Sequence, residues 1–252
     1  MPANVAYSII VPAYNEADEL PRTLRTLRRA MAAVAQPGEL VVVDNNSTDA
    51  TAAIARAQAD RVVFEPHNQI GRARNAGARV ARGRYLVFVD ADTLIPPALL
   101  RRALARLERG DCSGGGAQVA FCGHQHPFYR WVLGTWNRVS RLFGLAAGCF
   151  VFCHRRAFQA VGGFDEALYA GEELRLSRRI AAWGRRRAMR FQILRGPPVV
   201  TSDRKLHWFG WRDFSLFILG SLLLGPLFMR FRRACFLWYR RPAAGEAQSH
   251  GG

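Results

Sequence analysis

Lysine is almost missing from this sequence of 252 residues, because Lys205 is the only lysine among 36 basic residues. Acidic residues number only 19, so the formal net charge is +17. A charge of that size suits an anionic partner such as lipid headgroups, a phosphorylated substrate or nucleic acid. A compositional bias of the genome towards arginine is the alternative explanation.

Features of a secreted protein are also lacking. The cysteines number five, which is odd, and the N-terminus has neither a basic stretch nor a long apolar run. We therefore expect reduced thiols in the cytosol. The segments CGHQH (122–126) and CFVFCH (149–154) contain cysteine and histidine, but their spacings match no common zinc motif. Core or loop positions are the expected alternative to zinc binding.

Two common phosphate-binding loops are absent. The sequence has no GxxxxGK[ST] motif, and no GxGxxG follows the first predicted strand. The glycine run 114–116 is interpreted as a flexible bend. Half of the residues are hydrophobic, so the chain can form one large α/β domain with an appendage. The small, polar residues 242–252 are predicted to be disordered.

The first half of the sequence alternates apolar, strand-like runs with amphipathic helix patterns. This alternation predicts parallel β-α-β units, in which the carboxyl ends of the strands meet at one edge of the sheet. Ligands bind beyond that edge in open α/β sheets, and polar residues follow three of the predicted strands there. The predicted strands are residues 6–12, 39–44, 61–65 and 84–90.

The second half is less regular, because its apolar residues recur with a less clear helix or strand period. Strand-like runs are predicted at 113–122, 147–158 and 187–194, and helices at 126–144 and within 161–184.

A pair of carboxylates, Asp90 and Asp92, follows the apolar run 85–89. Carboxylates at a strand end suit a hard divalent cation such as Mg²⁺ or Mn²⁺, which prefers oxygen ligands and often shares them with substrate phosphates. Such a cation neutralises charge on a phosphate leaving group. Alternatively, both aspartates are turn or cap residues ahead of Pro96.

Six segments occur in an order that is informative as a whole. They are IIVPAYNE (9–16), VVVDNNSTDAT (41–51), GRARNAG (71–77), YLVFVDADT (85–93), VGGFDEALYAGEEL (161–174) and TSDRK (201–205). Together they resemble family 2 glycosyltransferases of the small, membrane-associated type. The resemblance implies a GT-A fold over residues 1–205, that is, a Rossmann-like, mostly parallel sheet flanked by helices.

The resemblance also implies an activity. Members transfer a sugar from a nucleotide-diphosphate donor, usually with inversion at the anomeric carbon, and Mg²⁺ or Mn²⁺ is the implied cofactor. A UDP-sugar is favoured, and a GDP-sugar stays open. The QxxRW motif of processive members is not found in the sequence, which favours transfer of a single sugar.

By position, the resemblance implies which residues contact the donor and the metal. Tyr14 offers an aromatic face to a base, and arginine forks suit phosphate oxygens. Core packing of Tyr14 and capping by Asp44 are the alternatives. The implied nucleotide-sugar contacts are Pro12, Ala13, Tyr14, Glu16, Asp44, Arg72, Arg74, Asp90 and Ala91. The implied metal ligands are Asp92, Asp90 and His207, and His207 has an interfacial position as its alternative.

The implied catalytic residues are the glutamates of GEEL, Glu172 and Glu173. Inversion needs a base to deprotonate the acceptor hydroxyl. The family commonly has Glu-Asp here, and Glu173 occupies the usual position of the base. Its side chain is one methylene longer than Asp, which shifts the carboxylate by about 1 Å. Both glutamates begin a predicted helix, whose dipole favours a carboxylate. A solvated helix start is the alternative.

The C-terminal region combines an uncharged run, 214–229, with a stretch of aromatic residues among arginines, 230–241. Residues 206–241 are therefore predicted to form helices lying on an anionic membrane surface, and we expect a lipid-linked acceptor. A hairpin packed on the domain and a membrane-spanning helix are the alternatives. We expect the protein at the cytoplasmic face of the membrane, or in the cytoplasm if these helices pack on the domain.

Two other functions compete with glycosyl transfer. A non-catalytic GT-A module that binds nucleotide or membrane as a scaffold is motivated by the altered GEEL pair. A nucleic-acid binder is motivated by the net charge, but the arginines are spread along the chain and no nucleic-acid-binding motif is found.

Overall fold

A computed structural model of the protein describes residues 5–123, 127–204, 208–209 and 211–239. His207 and the segment 242–252, for which the sequence predicts a metal ligand and a disordered tail, lie outside the described residues. The predicted domain boundary after residue 205 also falls at such a gap and stays a prediction.

The first half forms four strands with three helices between them, and each predicted strand is found to within one residue at either end. Apolar runs form the strands, and helices with one apolar face connect them. The elements are β1 (Tyr7–Ala13), α1 (Leu20–Ala32), β2 (Gly38–Asp44), α2 (Thr51–Gln58), β3 (Arg61–Phe64), α3 (Ile70–Val80) and β4 (Tyr85–Val89).

The second half begins with a two-residue strand and contains three more strands. The predicted strand 147–158 is only partly right, because a short helix replaces its second part. The elements are β5 (Thr93–Leu94), α4 (Pro97–Glu108), β6 (Cys112–Phe121), α5 (Pro127–Phe143), β7 (Phe150–His154), α6 (Arg155–Ala160), α7 (Glu172–Arg185) and β8 (Arg190–Thr201).

The C-terminal segment, residues 211–239, follows β8. It contains α8 (Trp211–Leu224), a 3₁₀ helix (Gly225–Arg230) and a single helical turn (Phe236–Tyr239). None of the helices within the described parts of the chain has the length and apolar character needed to cross a membrane.

All the strands belong to one sheet with the order β3-β2-β1-β4-β7-β6-β8-β5. The first four strands pair in parallel, as predicted. The strand β7 runs antiparallel to both β4 and β6, whereas β6 and β8 are parallel. The carboxyl ends of β1, β2 and β4 therefore share one edge of the sheet, and β7 enters the sheet beside β4 from the opposite direction.

Helices cover both faces of the sheet. Alternate residues of β1 face opposite layers: Ile9 packs in the layer that contains α1, and Ile10 packs in the layer that contains α3. Gly77 of α3 permits close approach, because a Cβ atom there would lie 2.4 Å from Cγ2 of Ile10.

The glycine run 114–116 is not a flexible bend, so that interpretation is wrong. These residues lie inside β6 and pair with β7 and β8. A Cβ atom on any of the three would lie less than 3.0 Å from a neighbouring atom, so only glycine fits at these positions between the adjacent strands.

Candidate active site

A cleft opens at the carboxyl edge of the first four strands. This is where the strand order predicts a ligand. Several residues that the resemblance assigns to the donor or to the metal line this cleft: Pro12, Ala13, Tyr14, Glu16, Asp90, Ala91 and Asp92. The structure thus brings together the segments after β1 and β4, which are more than seventy residues apart in sequence.

Asp44, Arg72 and Arg74, which the structure does describe, are not among the residues that line the cleft. Asp44 is buried at the end of β2, and its Oδ1 accepts a hydrogen bond of 3.0 Å from the backbone N–H of Ser47. This hydrogen bond holds the turn after β2, whereas α2 has Ala50 at its N-cap and no side-chain capping bond. Arg72 donates from Nε to Gln69 (3.0 Å), and its Nη2 lies 3.6 Å from Glu166.

Arg74 lies beneath the cleft and is only 1% exposed. Its Nη1 donates to Oε1 of Glu172 (2.6 Å), while Nη2 donates to Oδ1 of Asp90 (2.7 Å) and to the carbonyl oxygen of Gly148 (2.9 Å). Burial lowers the pKa of Arg74, but the carboxylates of Asp90 and Glu172 outweigh it and hold that pKa above its usual range. One guanidinium therefore joins the aspartate pair to the glutamate pair.

The glutamate pair begins α7, and the residue before it, Gly171, has a positive φ of 71°. Glu172 is buried against Arg74, whereas Glu173 is half-buried. Burial, with the adjacent charge of Glu172, raises the pKa of the Glu173 carboxyl to about 8, although Arg74 opposes this rise. The two glutamates therefore differ: Glu172 is a paired carboxylate, and Glu173 holds a proton far more readily than an ordinary glutamate.

Asp92, the second member of the aspartate pair, has Arg204 and not Arg74 as its cationic partner. Nη2 of Arg204 donates to Oε2 of Glu16 (2.7 Å) and lies 3.3 Å from Oδ2 of Asp92. The hydroxyl groups of Thr93 and Thr201 lie 3.3 and 3.4 Å from Oδ1 of Asp92. Burial lowers the pKa of Arg204, but the charge of Glu16 outweighs this effect and holds that pKa above its usual range.

A metal ion has no ready-made protein cage here, since within the described ranges no group of three or more His, Cys, Asp or Glu side chains could hold one. The oxygen chemistry of Asp90 and Asp92 nevertheless fits Mg²⁺ or Mn²⁺, which commonly takes one or two carboxylates and completes its shell with water and substrate phosphates. The two aspartates fit a shared metal and diphosphate site.

Sequence reasoning missed several residues that line the cleft. Asn45 follows β2 directly, so its place at a strand end was a usable signal. It is buried, donates to the carbonyl oxygen of Glu65 and accepts from the N–H of Gln69, both at 3.0 Å. Others came from distant segments and gave no local signal. The missed lining residues are Asn45, Asn68, Ile70, Trp208, Leu237 and Tyr239.

The C-terminal segment forms part of the cleft wall. The ring of Tyr239 packs edge-on against Tyr169 with 5.5 Å between centroids, and its hydroxyl oxygen lies 3.5 Å from the backbone nitrogen of Ile70. The N–H of Tyr169 donates to the carbonyl oxygen of Met229 (2.7 Å). Burial, with the nearby Glu172 charge, raises the pKa of the Tyr239 hydroxyl. This segment therefore contacts the turn that precedes the glutamate pair.

Solved structures with similar architecture identify the class of fold. Staphylococcus aureus TarS in complex with UDP-GlcNAc superposes with a TM-score of 0.61 at 21% identity, over 86% of this chain and 65% of that one. The mannosyltransferase PcManGT from Pyrobaculum calidifontis, in complex with GDP-Man and Mn²⁺, gives 0.61 at 22%, over 93% and 65%. The fold is that of the GT-A glycosyltransferases.

The sequence comparisons are more specific. The profile described as glycosyl transferase family 2 matches residues 8–163, which is well over half of the chain, so this protein belongs to glycosyl transferase family 2. The succinoglycan biosynthesis protein ExoO of Rhizobium meliloti is 38% identical over 120 residues, covering 45% of this chain and 31% of that protein.

Another relative is the undecaprenyl-phosphate 4-deoxy-4-formamido-L-arabinose transferase of Pseudomonas fluorescens. It is 32% identical over 161 residues, covering 59% of this chain and 47% of that protein. The chain thus spans less than half the length of these curated relatives. The resemblance seen in the sequence is confirmed at the level of family and fold.

Proposed function

We propose that this protein is a metal-dependent, inverting glycosyltransferase that moves one sugar from a nucleotide-diphosphate donor, with UDP-sugars favoured, to a hydroxyl of a lipid-linked acceptor. The observation that carries the proposal is the link through Arg74, which holds Asp90 of the cleft and Glu172 of the glutamate pair on one guanidinium. A donor site and a base are thereby held at fixed positions relative to each other.

Donor binding is assigned to the cleft. Tyr14 would stack on the base, the backbone of Pro12 and Ala13 would border the ribose, and Asp90 and Asp92 would hold the metal with the diphosphate. The metal, when bound, supplies neutralisation of the charge on the leaving diphosphate. Similar folds support this assignment, because one of them was solved with UDP-GlcNAc and another with GDP-Man and Mn²⁺.

The arginines of α3 receive a revised assignment. The guanidinium of Arg74 already binds two carboxylates and one carbonyl oxygen, so we assign it to positioning these groups and not to binding the diphosphate. Arg72 pairs with Gln69 and Glu166 beside the cleft. Arg204 lines the cleft and is the arginine best placed to reach the diphosphate.

Glu173 is the base in this proposal. The Glu172 carboxylate lies 2.6 Å from the Arg74 guanidinium, so we assign Glu172 to this buried ion pair. Glu173 has a raised pKa near the working pH, which suits a general base. It takes the proton of the acceptor hydroxyl while that oxygen forms its bond to the anomeric carbon, and the bond from this carbon to the diphosphate oxygen breaks.

A lipid-linked acceptor is supported by the Pseudomonas fluorescens relative, whose name includes undecaprenyl phosphate, a lipid phosphate. Such an acceptor would bring the protein to an anionic membrane surface. All five cysteines are free thiols, which suits the cytoplasmic face.

The test is a donor-hydrolysis screen with UDP- and GDP-sugars, with and without Mn²⁺. We expect one donor to be hydrolysed only with metal, and Glu173→Gln to slow this at least about a hundredfold, as removal of a general base does. Glu108→Gln serves as the control, because Glu108 bonds to Gln36 on the surface and lies outside the cleft.

The outcomes separate the competing functions. No hydrolysis and no rise in melting temperature with any nucleotide would refute the proposal. Nucleotide binding without hydrolysis or transfer would instead favour the non-catalytic module.

A further inference from the structure

The outer side of the C-terminal segment carries a row of exposed leucines. Leu216, Leu219 and Leu223 have the spacing of one helical face on α8, and each exposes more than half of its surface. Leu227 of the following 3₁₀ helix is 55% exposed as well. Isolated surface leucines are ordinary, but these leucines, with Leu224 also 57% exposed, give one short segment an apolar surface of the kind that binds a partner.

The partner of this surface is indicated by the charges beside it. Arg230, Arg232 and Arg233 are all exposed and follow the leucines directly in the chain. Exposed Phe231 lies among them. Leucines and an aromatic residue next to clustered arginines match the chemistry of an anionic lipid surface, where apolar side chains enter the acyl boundary and arginines bind headgroup phosphates.

The inner side of the same segment contacts the active site. Leu237 is buried and lines the cleft together with Tyr239. Sδ of Met229 packs so closely on Gly171, the residue before the glutamate pair, that a Cβ atom there would lie 2.8 Å from it. The same segment therefore carries the exposed leucines and arginines on one side and part of the cleft wall on the other.

We propose that residues 211–239 bind an anionic bilayer surface through the exposed leucines and arginines, and that this contact fixes the inner side as a wall of the donor cleft. Bilayer binding then strengthens nucleotide binding. The membrane contact stands without the proposed function, whereas its effect on the donor cleft rests on it.

The first experiment measures flotation of the full-length protein with vesicles of phosphatidylcholine alone or mixed with phosphatidylglycerol, without nucleotide. We expect binding to the anionic vesicles only. The double variant Leu216→Gln/Leu223→Gln should weaken it at least about tenfold by removing apolar area. Arg230→Ser/Arg233→Ser should weaken it about fivefold for each arginine and make it less sensitive to salt.

The control is Leu142→Gln, since Leu142 is 77% exposed on α5, outside the segment. It should bind vesicles like the unchanged protein. Equal binding by the leucine double variant, or an equal loss with Leu142→Gln, would overturn the assignment of the membrane contact to residues 211–239. Circular dichroism spectra identical to that of the unchanged protein exclude unfolding as the cause of any loss.

The second experiment measures the affinity for UDP and GDP, with Mn²⁺, in the presence and absence of anionic vesicles. We expect at least about threefold tighter binding on vesicles for the unchanged protein and no gain for the leucine double variant. Equal affinity with and without vesicles would overturn the coupling. If no nucleotide binds at all, the proposed function fails, while the flotation result still decides the membrane contact.

Discussion

Replacing Glu173 by Gln should stabilise the protein while it removes the base. Burial and the Glu172 charge raise the pKa of this carboxyl from 4.5 to about 8 in the folded state. Between those pH values the unfolded chain has lost the proton and the folded protein has kept it. Unfolding therefore releases a proton, and the contribution of Glu173 to the free energy of unfolding falls as pH rises through this window.

The size of the effect follows from the same shift. At about 1.4 kcal/mol per pKa unit, the rise from 4.5 to about 8 sets an upper limit of roughly 5 kcal/mol. Partial exposure of Glu173 and its coupling to Arg74 and Glu172 reduce this, so we expect about 1–2 kcal/mol at pH 8. For a domain of this size that corresponds to a melting temperature about 3–6 °C higher.

The assay is thermal unfolding of the metal-free protein at a series of pH values from 5 to 8, all within the window of the cited shift. The gain in Glu173→Gln should be small at the acidic end and grow towards the basic end. Glu172→Gln is the matched control with the opposite expected sign, because it breaks the 2.6 Å ion pair with buried Arg74. A lower melting temperature for Glu173→Gln at the basic end, or a gain independent of pH, would refute the reasoning.

Three further predictions concern the other charged groups. Arg74→Gln should lower the free energy of unfolding by about 3 kcal/mol or more in chemical denaturation, because it leaves two carboxylates without their buried partner, whereas a similar loss for Arg72→Gln would contradict this role. Asp92→Ala should abolish the rise in melting temperature caused by nucleotide with Mn²⁺, and an unchanged rise would exclude Asp92 as a ligand. Arg204→Gln should tighten Mn²⁺ binding without nucleotide, because it removes the guanidinium that competes with the metal for Asp92. Titration followed by paramagnetic resonance measures this affinity, and weaker binding would show that Arg204 does not compete with the metal.

The sheet edge that carries Tyr14, Asp90 and Asp92 could be predicted from sequence because its signals are local. A buried strand is readable as an apolar run, and parallel β-α-β units place the ends of β1 and β4 together. Tyr14, Asp90 and Asp92 therefore needed no long-range information. The same reasoning explains the error at 114–116, because nothing local distinguishes a glycine that bends a chain from one that fits between two strands.

The partners of Arg74 could not be predicted in this way. Glu172 is 98 residues away in sequence, and the pairing depends on β7 running antiparallel beside β4, which brings Gly148 to the guanidinium. The sequence around Arg74 does not reveal whether its guanidinium contacts a phosphate or protein carboxylates. The cleft wall around Tyr239 was missed for a similar reason. The composition of an apolar, arginine-rich segment is the same whether the segment binds a membrane or packs against the domain.

The three-way contact of Arg74 sets a condition for loop grafting. Grafting residues 161–173 from another member of the family would replace both the turn before α7 and the glutamates that begin this helix. The incoming segment must still present a carboxylate to Nη1 of Arg74, since this buried nitrogen would otherwise lose its hydrogen-bond acceptor while Nη2 keeps Asp90. This segment is thus exchangeable only together with residue 74 or when it retains an acid at residue 172.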